Sequence, residues 1–303
     1  MLGYAVKRAL SAIGTVFAVA TITFFAMHAI PGGPFASEKA PDPAVRAALE
    51  SRFHLDRPAG EQFVEYLSGF IRGDFGISLK TGREISAIVG ESFGASAKIG
   101  GIAAALALGL GVLLGCAAAI GRGRWPDRLV LAATTLFSSV PSFIAATVLM
   151  LVFCLELGWF GVWSASGSGA ALPAVALALY PMSAIARLTR AGVLDALGQD
   201  YVRAARARGV REPQVVLLHG LRNALVPVVA YAGPMSAYLL TGSMVVETVF
   251  TVGGLGTQFV TAIGNRDYPV IMAIAILLAA LMSLASLISD VACHFIDPKI
   301  SLE

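Results

Sequence analysis

The chain has 303 residues, of which 57% are hydrophobic and only 14% charged. Soluble domains carry about 25% charged residues, so this composition excludes an ordinary soluble protein and describes a membrane protein. A net charge of +3 excludes bulk nucleic-acid binding as the main task.

Crossing a bilayer takes about 20 apolar residues, and six runs free of Asp, Glu, Lys and Arg are long enough. They cover 9–30, 99–121, 129–155, 157–186, 223–246 and 268–289. The first run follows Lys7 and Arg8. It is too long for the apolar part of a signal peptide, about 7–15 residues, and reads as an uncleaved first span.

Residues 31–95 follow, with seven basic and nine acidic residues. Asp42 is a candidate N-cap with Pro43 at the first helical position. Phe63, Tyr66, Leu67 and Phe70 then recur at helical spacing before Gly73. Two short surface helices are expected here, then a helix from about Ile85 leading into the second span. The "SASGSGA" stretch at 164–170 reads as a turn, which places the start of the fourth span near Leu172. Glu156, Glu247 and His28 fall at predicted outer ends of spans, and His294 follows the sixth. Each is expected to reach water at the interface. Cys116, Cys154 and Cys293 lie in apolar runs without metal-ligand spacing and read as packing residues.

With the N-terminus placed in the cytoplasm, the inside segments hold Lys7, Arg8, Arg122, Arg124, Arg128, Arg187, Arg190, the arginines of 203–222, and Lys299. The short outside loops, 158–171 and 251–267, hold only Arg266. The positive-inside rule therefore puts both termini in the cytoplasm, and long translocated segments such as 31–95 are exempt from it.

The span interiors exclude several activities. Ion-coupled carriers need titratable groups near the midplane, and these spans have none there. An intramembrane serine protease needs a histidine at depth beside its serine. Ser138, Ser139, Ser142, Ser236 and Ser243 have no such companion. A phosphate-binding loop needs Gly-Lys, and no lysine follows a glycine. An ATP-driven process would need its ATPase on another chain.

The segment "DYVRAARARGVREPQ", 200–214, is the densest basic stretch. Residues 195–208 read as a helix, Gly209 as the residue that ends it, and Pro213 as the first position of a second helix capped near Glu212. Topology explains the charge, and each basic residue near an anionic leaflet adds about 1 kcal/mol. Neither explains a helix–Gly–helix elbow.

The chain resembles the binding-protein-dependent permease subunits of ATP-binding cassette importers, in the dipeptide/oligopeptide/nickel group. That family carries a cytoplasmic E-A-A-x3-G-x9-I-x-L-P motif. Here "RAARARG" at 203–209 stands in its register. Ala204, Ala205 and Gly209 match and Arg203 replaces Glu. "HGLR" at 219–222 follows, with His219 and Arg222 in place of Ile and Pro. Further stretches look like the group: "IPGGPF" at 30–35, "RGDFGISL" at 72–79, "RLTRAGVLDALGQDYVR" at 187–203, "GSMVVETVF" at 242–250 and "DPKI" at 297–300. Together they are most similar to the oligopeptide permease B subunit.

The resemblance implies an all-α membrane protein with six transmembrane helices and type I ABC-importer permease architecture. It divides into 1–30 (N-terminus and first span), 31–95 (periplasmic helical segment) and 96–303 (permease core, with a coupling loop at 190–223). It implies half of a translocation pathway in a bacterial inner membrane, and no enzymatic activity or cofactor in this chain. ATP and Mg would act on the ATPases. The implied partners are a second homologous permease, two ATPase subunits, an extracytoplasmic binding protein, a peptide substrate and membrane lipid, with no nucleic acid. Arg203, Ala204, Ala205, Arg206, Ala207, Arg208, Gly209, Val210 and Arg211 would couple to an ATPase. Peptides vary in side chain, so their path should be wide and free of fixed charge. Ser139, Ser142, Phe143, Tyr238, Thr241, Ser243 and Met244 are its candidate lining, against helix packing as the ordinary role of such residues. Dipeptide, nickel or glutathione-type import, and a stand-alone secondary carrier, are the alternative readings.

Overall fold

The computed structural model describes residues 2–31, 33–35, 51, 55–164, 168–211, 214–215 and 220–296. The helix expected around Asp42 and Pro43, the turn residues 165–167, and Glu212, Pro213 and His219 lie outside them. The described chain is helical, with one isolated bridge between Ile77 and Glu84.

In chain order the helices are α1 Leu2–His28, α2 Ala59–Ile71, α3 Ile85–Ile120, α4 Trp125–Ser139, α5 Ser142–Leu149 with a π-helical continuation Met150–Glu156, α6 Ala171–Leu197, α7 Asp200–Ala207, α8 Leu221–Leu240, α9 Met244–Val249, α10 Leu255–Asn265 and α11 Tyr268–Ile296. Helix α2 confirms the helical spacing of Phe63 to Phe70. The expected helix from Ile85 and the second span form one continuous helix of 36 residues.

Helices α3, α6 and α8 form the centre, and α11 packs on α8 and α1. In lipid there is little hydrophobic drive between helices, so small residues that let backbones approach supply the packing. Helix α3 presents such a stripe: Ser92, Ser96, Gly100, Ala103, Ala107, Gly111, Gly115 and Ala118 are all buried. At Gly115 an added Cβ would stand 2.6 Å from the carbonyl oxygen of Ala186. Only glycine permits α3 and α6 to lie this close.

Two of the apolar runs are not single continuous helices. The third run bends by 101° between Ser139 and Ser142. Pro141 is the cause: it bars the residue before it from helical geometry, and Val140 is extended at φ −82°, ψ 122°. The fifth run is helical to Leu240, breaks at Gly242 (φ +82°) and resumes as α9. Five helices are long and apolar enough to cross a membrane, or six if the bent pair is one span.

Charged residues tie the bundle at three further points. Arg8 near the start of α1 is joined to Asp290 in α11. Arg190 of α6 grips Asp127 of α4 through two hydrogen bonds of 2.6 and 2.9 Å. The backbone N–H of Gly123 completes that carboxylate at 2.9 Å. Asp267 accepts from the hydroxyl of Ser78 and, at 3.1 Å, from the backbone N–H of Leu79. It thereby pins the loop after α2 to the start of α11.

Candidate functional site

The basic segment is displayed at the end of the bundle where α6 terminates. The residues 195–208, expected as one helix, are interrupted. Gly198 closes α6 on the carbonyls of Leu194 and Asp195, both at 3.2 Å. Gln199 is then extended before α7 begins. Helix α7 turns Val202 and Ala205 inward, three residues apart on one face, and both are buried. Val215, just past the elbow, is buried as well. Among the expected coupling residues, Ala205 is buried within this chain. Arg203, Ala204, Arg206, Ala207, Arg208, Gly209 and Arg211 are exposed, and Val210 is half-buried.

The elbow has a defined hydrogen-bond pattern. The N–H of Gly209 donates to Arg206 O at 2.9 Å, and that of Val210 donates to Ala205 O at 3.3 Å. This is a Schellman C-terminus, which requires a left-handed residue at the turn. Gly209 supplies it with φ +82°. A Cβ there would meet nothing within 4 Å, so glycine is needed for conformation and not for space. Beside α7 lies a cavity of about 310 Å³ between Ile120, Arg122, Leu194, Leu197 and Arg206. Arg122 and Arg206 thus meet at this end, while Arg187, further back along α6, donates to Thr134 O at 3.2 Å and to Ser138 Oγ at 3.3 Å.

The second group of candidates comes from both broken spans. Helices α5 and α9 pack on each other, which brings the 139–143 bend close to the 241–244 break. Ser139, Ser142, Phe143, Tyr238 and Met244 are exposed, and Ser243 is half-buried. Thr241 departs from expectation. It is buried, and its hydroxyl donates to Tyr238 O at 2.9 Å, so it holds the end of α8 together. Ser139 also satisfies its hydroxyl internally, on Thr135 O at 2.8 Å.

Glu247 corrects another expectation. It does not reach water but is 3% exposed. Its Oε1 accepts from the Ser96 hydroxyl at 2.6 Å, and its Oε2 accepts from the N–H and hydroxyl of Thr257 at 2.9 and 3.2 Å. The Ser96 oxygen in turn accepts from Leu255 N at 2.8 Å. The carboxylate therefore sits on the first turn of α10, where the helix dipole favours negative charge. Gly242 and Gly254 make room for it: a Cβ on either would fall 1.9 or 2.3 Å from Oε1. Helices α3, α9 and α10 meet at this one group. His28 is half-buried, with its ring nitrogens 2.9 Å from Phe24 O and 3.3 Å from Gln62 Oε1. Glu156 is exposed as expected. The sequence signal that marks Glu247 is a carboxylate inside "GSMVVETVF" with glycine on both flanks at 242 and 254.

Residues 111–302 match the family described as binding-protein-dependent transport system inner membrane component, and residues 1–105 match its N-terminal counterpart. The chain belongs to this family. The permease is 38% identical to the oligopeptide transport system permease protein OppB of Haemophilus influenzae over 99% of both chains. It is 37% identical to the dipeptide transport system permease protein DppB of Bacillus subtilis over 100% of this chain and 99% of that one. It is 39% identical to the glutathione transport system permease protein GsiC of Salmonella paratyphi A over 99% of both. Among solved structures, the inward-facing MetNI methionine ABC transporter aligns over 70% of the permease and 95% of that chain. The TM-score is 0.53 at 24% identity, a likeness of fold. The permease is thus an all-helical membrane-embedded transport component of the type I importer fold and not an enzyme.

Proposed function

We propose that this permease is one of two membrane subunits of an ATP-driven, binding-protein-dependent oligopeptide importer. ATP and Mg act on two partner ATPases, and an extracytoplasmic binding protein delivers the peptide. Both termini and residues 198–211 face the cytoplasm, in keeping with the arginines gathered at that end. Full-length similarity to oligopeptide permeases supports the substrate class.

The observation that carries the coupling reading is the elbow at Gly209. Helix α7 is held to the bundle by Val202 and Ala205, while its opposite face is displayed. An ATPase groove that receives Ala204, Ala207 and Val210 can push on α7 and, through its anchor, on α6. Exposed ion pairs contribute only about 0.2–1 kcal/mol each, so the arginines orient the contact on acidic rim residues rather than clamp it. The path runs beside the bend and break where α5 meets α9, lined by Ser139, Ser142, Phe143, Tyr238, Ser243 and Met244.

The test compares Gly209→Val with Gly209→Asn at equal membrane levels. Asparagine tolerates the left-handed conformation and valine does not. Peptide uptake and peptide-stimulated ATP hydrolysis should fall together in the valine variant and persist in the asparagine variant. Normal uptake by both would refute the coupling role.

A further inference from the structure

Two arginines stand one turn apart on α6 and are treated differently. Arg190 holds both oxygens of Asp127 with Nε and Nη2. Arg187 has no ion pair among the described residues. Both of its hydrogen bonds leave from one nitrogen, Nη1, which donates to Thr134 O at 3.2 Å and to Ser138 Oγ at 3.3 Å. Its Nε and Nη2 donate to nothing among the described residues, and neither is enclosed. Arg187 thus keeps open the same edge that grips a carboxylate on Arg190, two parallel N–H groups in a fixed fork.

The direction of Arg187 is unusual too. An arginine near the end of a span ordinarily reaches for the interface, and one that does not marks a substrate or ion pathway. Arg190 holds the first turn of α4, whereas Arg187 reaches its last. Helix α4 has 15 residues, roughly 22 Å, and the 139–142 bend follows Ser138 at once. The guanidinium therefore adjoins the bend beside the proposed path. Tyr180, Ala184 and Arg187 recur at helical spacing along α6, as do Tyr231, Pro234 and Tyr238 along α8. Tyr231 is close enough to Tyr180 and Arg187 to interact electrostatically with both. Tyr180 and Tyr238 are 58% and 56% exposed, and Arg187 and Tyr231 are half-buried. One uncompensated cation thus stands among phenols and a serine, on faces that the chain leaves open.

Resting on the peptide-importer reading, we propose that Arg187 is a carboxylate site in the translocation path and receives the C-terminal carboxylate of the peptide. Peptides differ in every side chain but share their termini. One fixed cation therefore serves all of them, whereas further charges would select among them. The expectation of a path free of fixed charge is amended by this one residue. Nε and Nη2 take the two carboxylate oxygens, with the Tyr231 phenol beside them. Nη1 stays on Thr134 and Ser138, so the fork is held in place before the peptide arrives.

The test uses the intact transporter in proteoliposomes, with concentrations of peptide that saturate its binding protein. The probes are trialanine, its C-terminal amide, and the amide of Ala-Glu-Ala. The wild type should import the free acid about tenfold faster than either amide. In Arg187→Gln, which can still donate to Thr134 and Ser138, that ratio should fall to about one. Arg187→Lys, a cation without the fork, should lie between. A second readout needs no amide. A free-acid peptide with a benzophenone on its last residue should crosslink near Ser138 and Arg187 in the wild type and lose that crosslink in Arg187→Gln. Equal slowing of acid and amide in Arg187→Gln would show a packing role, or an ion pair with another subunit, and would overturn the proposal. So would a wild type that does not distinguish acid from amide. Import of the glutamyl amide at the free-acid rate, lost with Arg187, would assign the site to side-chain carboxylates and sink the C-terminal assignment. A wild type that imports none of the peptides would instead bring down the importer reading itself, whatever the variants do.

Discussion

The knot around Glu247 and the elbow around Gly209 use the same residue types in opposite ways. At the knot a charge is buried, the donors of Ser96 and Thr257 are aimed at it, and glycines are present because nothing larger fits. At the elbow the charges are exposed, their few contacts are weak, and the glycine stands in open space because of its backbone angle. Arg203 meets Asp200 only at 3.4 Å, with both side chains largely in solvent. The first region fixes how α3, α9 and α10 sit. The second contributes little to holding the permease together, which leaves it free to serve as a contact.

Mutations should separate the two. Glu247→Ala leaves the buried Ser96 hydroxyl and the half-buried Thr257 N–H without their acceptor. We expect a loss of stability on the order of 3 kcal/mol, read as a lower melting temperature and reduced folded protein in membranes. A variant that melts like wild type would remove the knot from the fold's essentials. Gly115→Leu drives a side chain against the Ala186 carbonyl and should cost about 1–3 kcal/mol. Ala at the same position should cost less, and the ordering of the two is the check. Gly209→Val should cost about 1–2 kcal/mol, confined to the elbow, while uptake falls far more than folded protein does. A fall in both alike would make the elbow one more packing site. The combined Arg208→Ala and Arg211→Ala change should leave melting unmoved. It should weaken ATPase association in a manner that added salt reproduces in the wild type.

Much of this was legible without coordinates. The charge-free runs overlap each of the five long apolar helices and the bent pair, because a bilayer disfavours unpaired charge at depth. The spacing of Phe63 to Phe70 located α2, and Gly209 was readable as a helix end. The breaks were harder. Pro141 and Gly242 are visible as residues, yet apolar composition marked 129–155 and 223–246 simply as single runs. Hydropathy carries no information on direction. Glu247 was misplaced for a related reason. A carboxylate near a span end normally reaches water, and only the return of α10 beside α3 supplies the donors that let it stay inside.

The sequence by itself determined that this chain lies in a membrane, that its arginines gather in the segments between particular spans, and that no nucleotide site is written into it. Those are properties of local composition, set by what lipid excludes. The tertiary structure decided which small residues become contact surfaces, that Ala205 anchors while Ala204 is displayed, and that Glu247, Ser96 and Thr257 form one group. These depend on helices far apart in sequence arriving within hydrogen-bond distance. Such meetings follow from the bend at Pro141, from the helix break at Gly242 and from the close approach that glycine allows at Gly115.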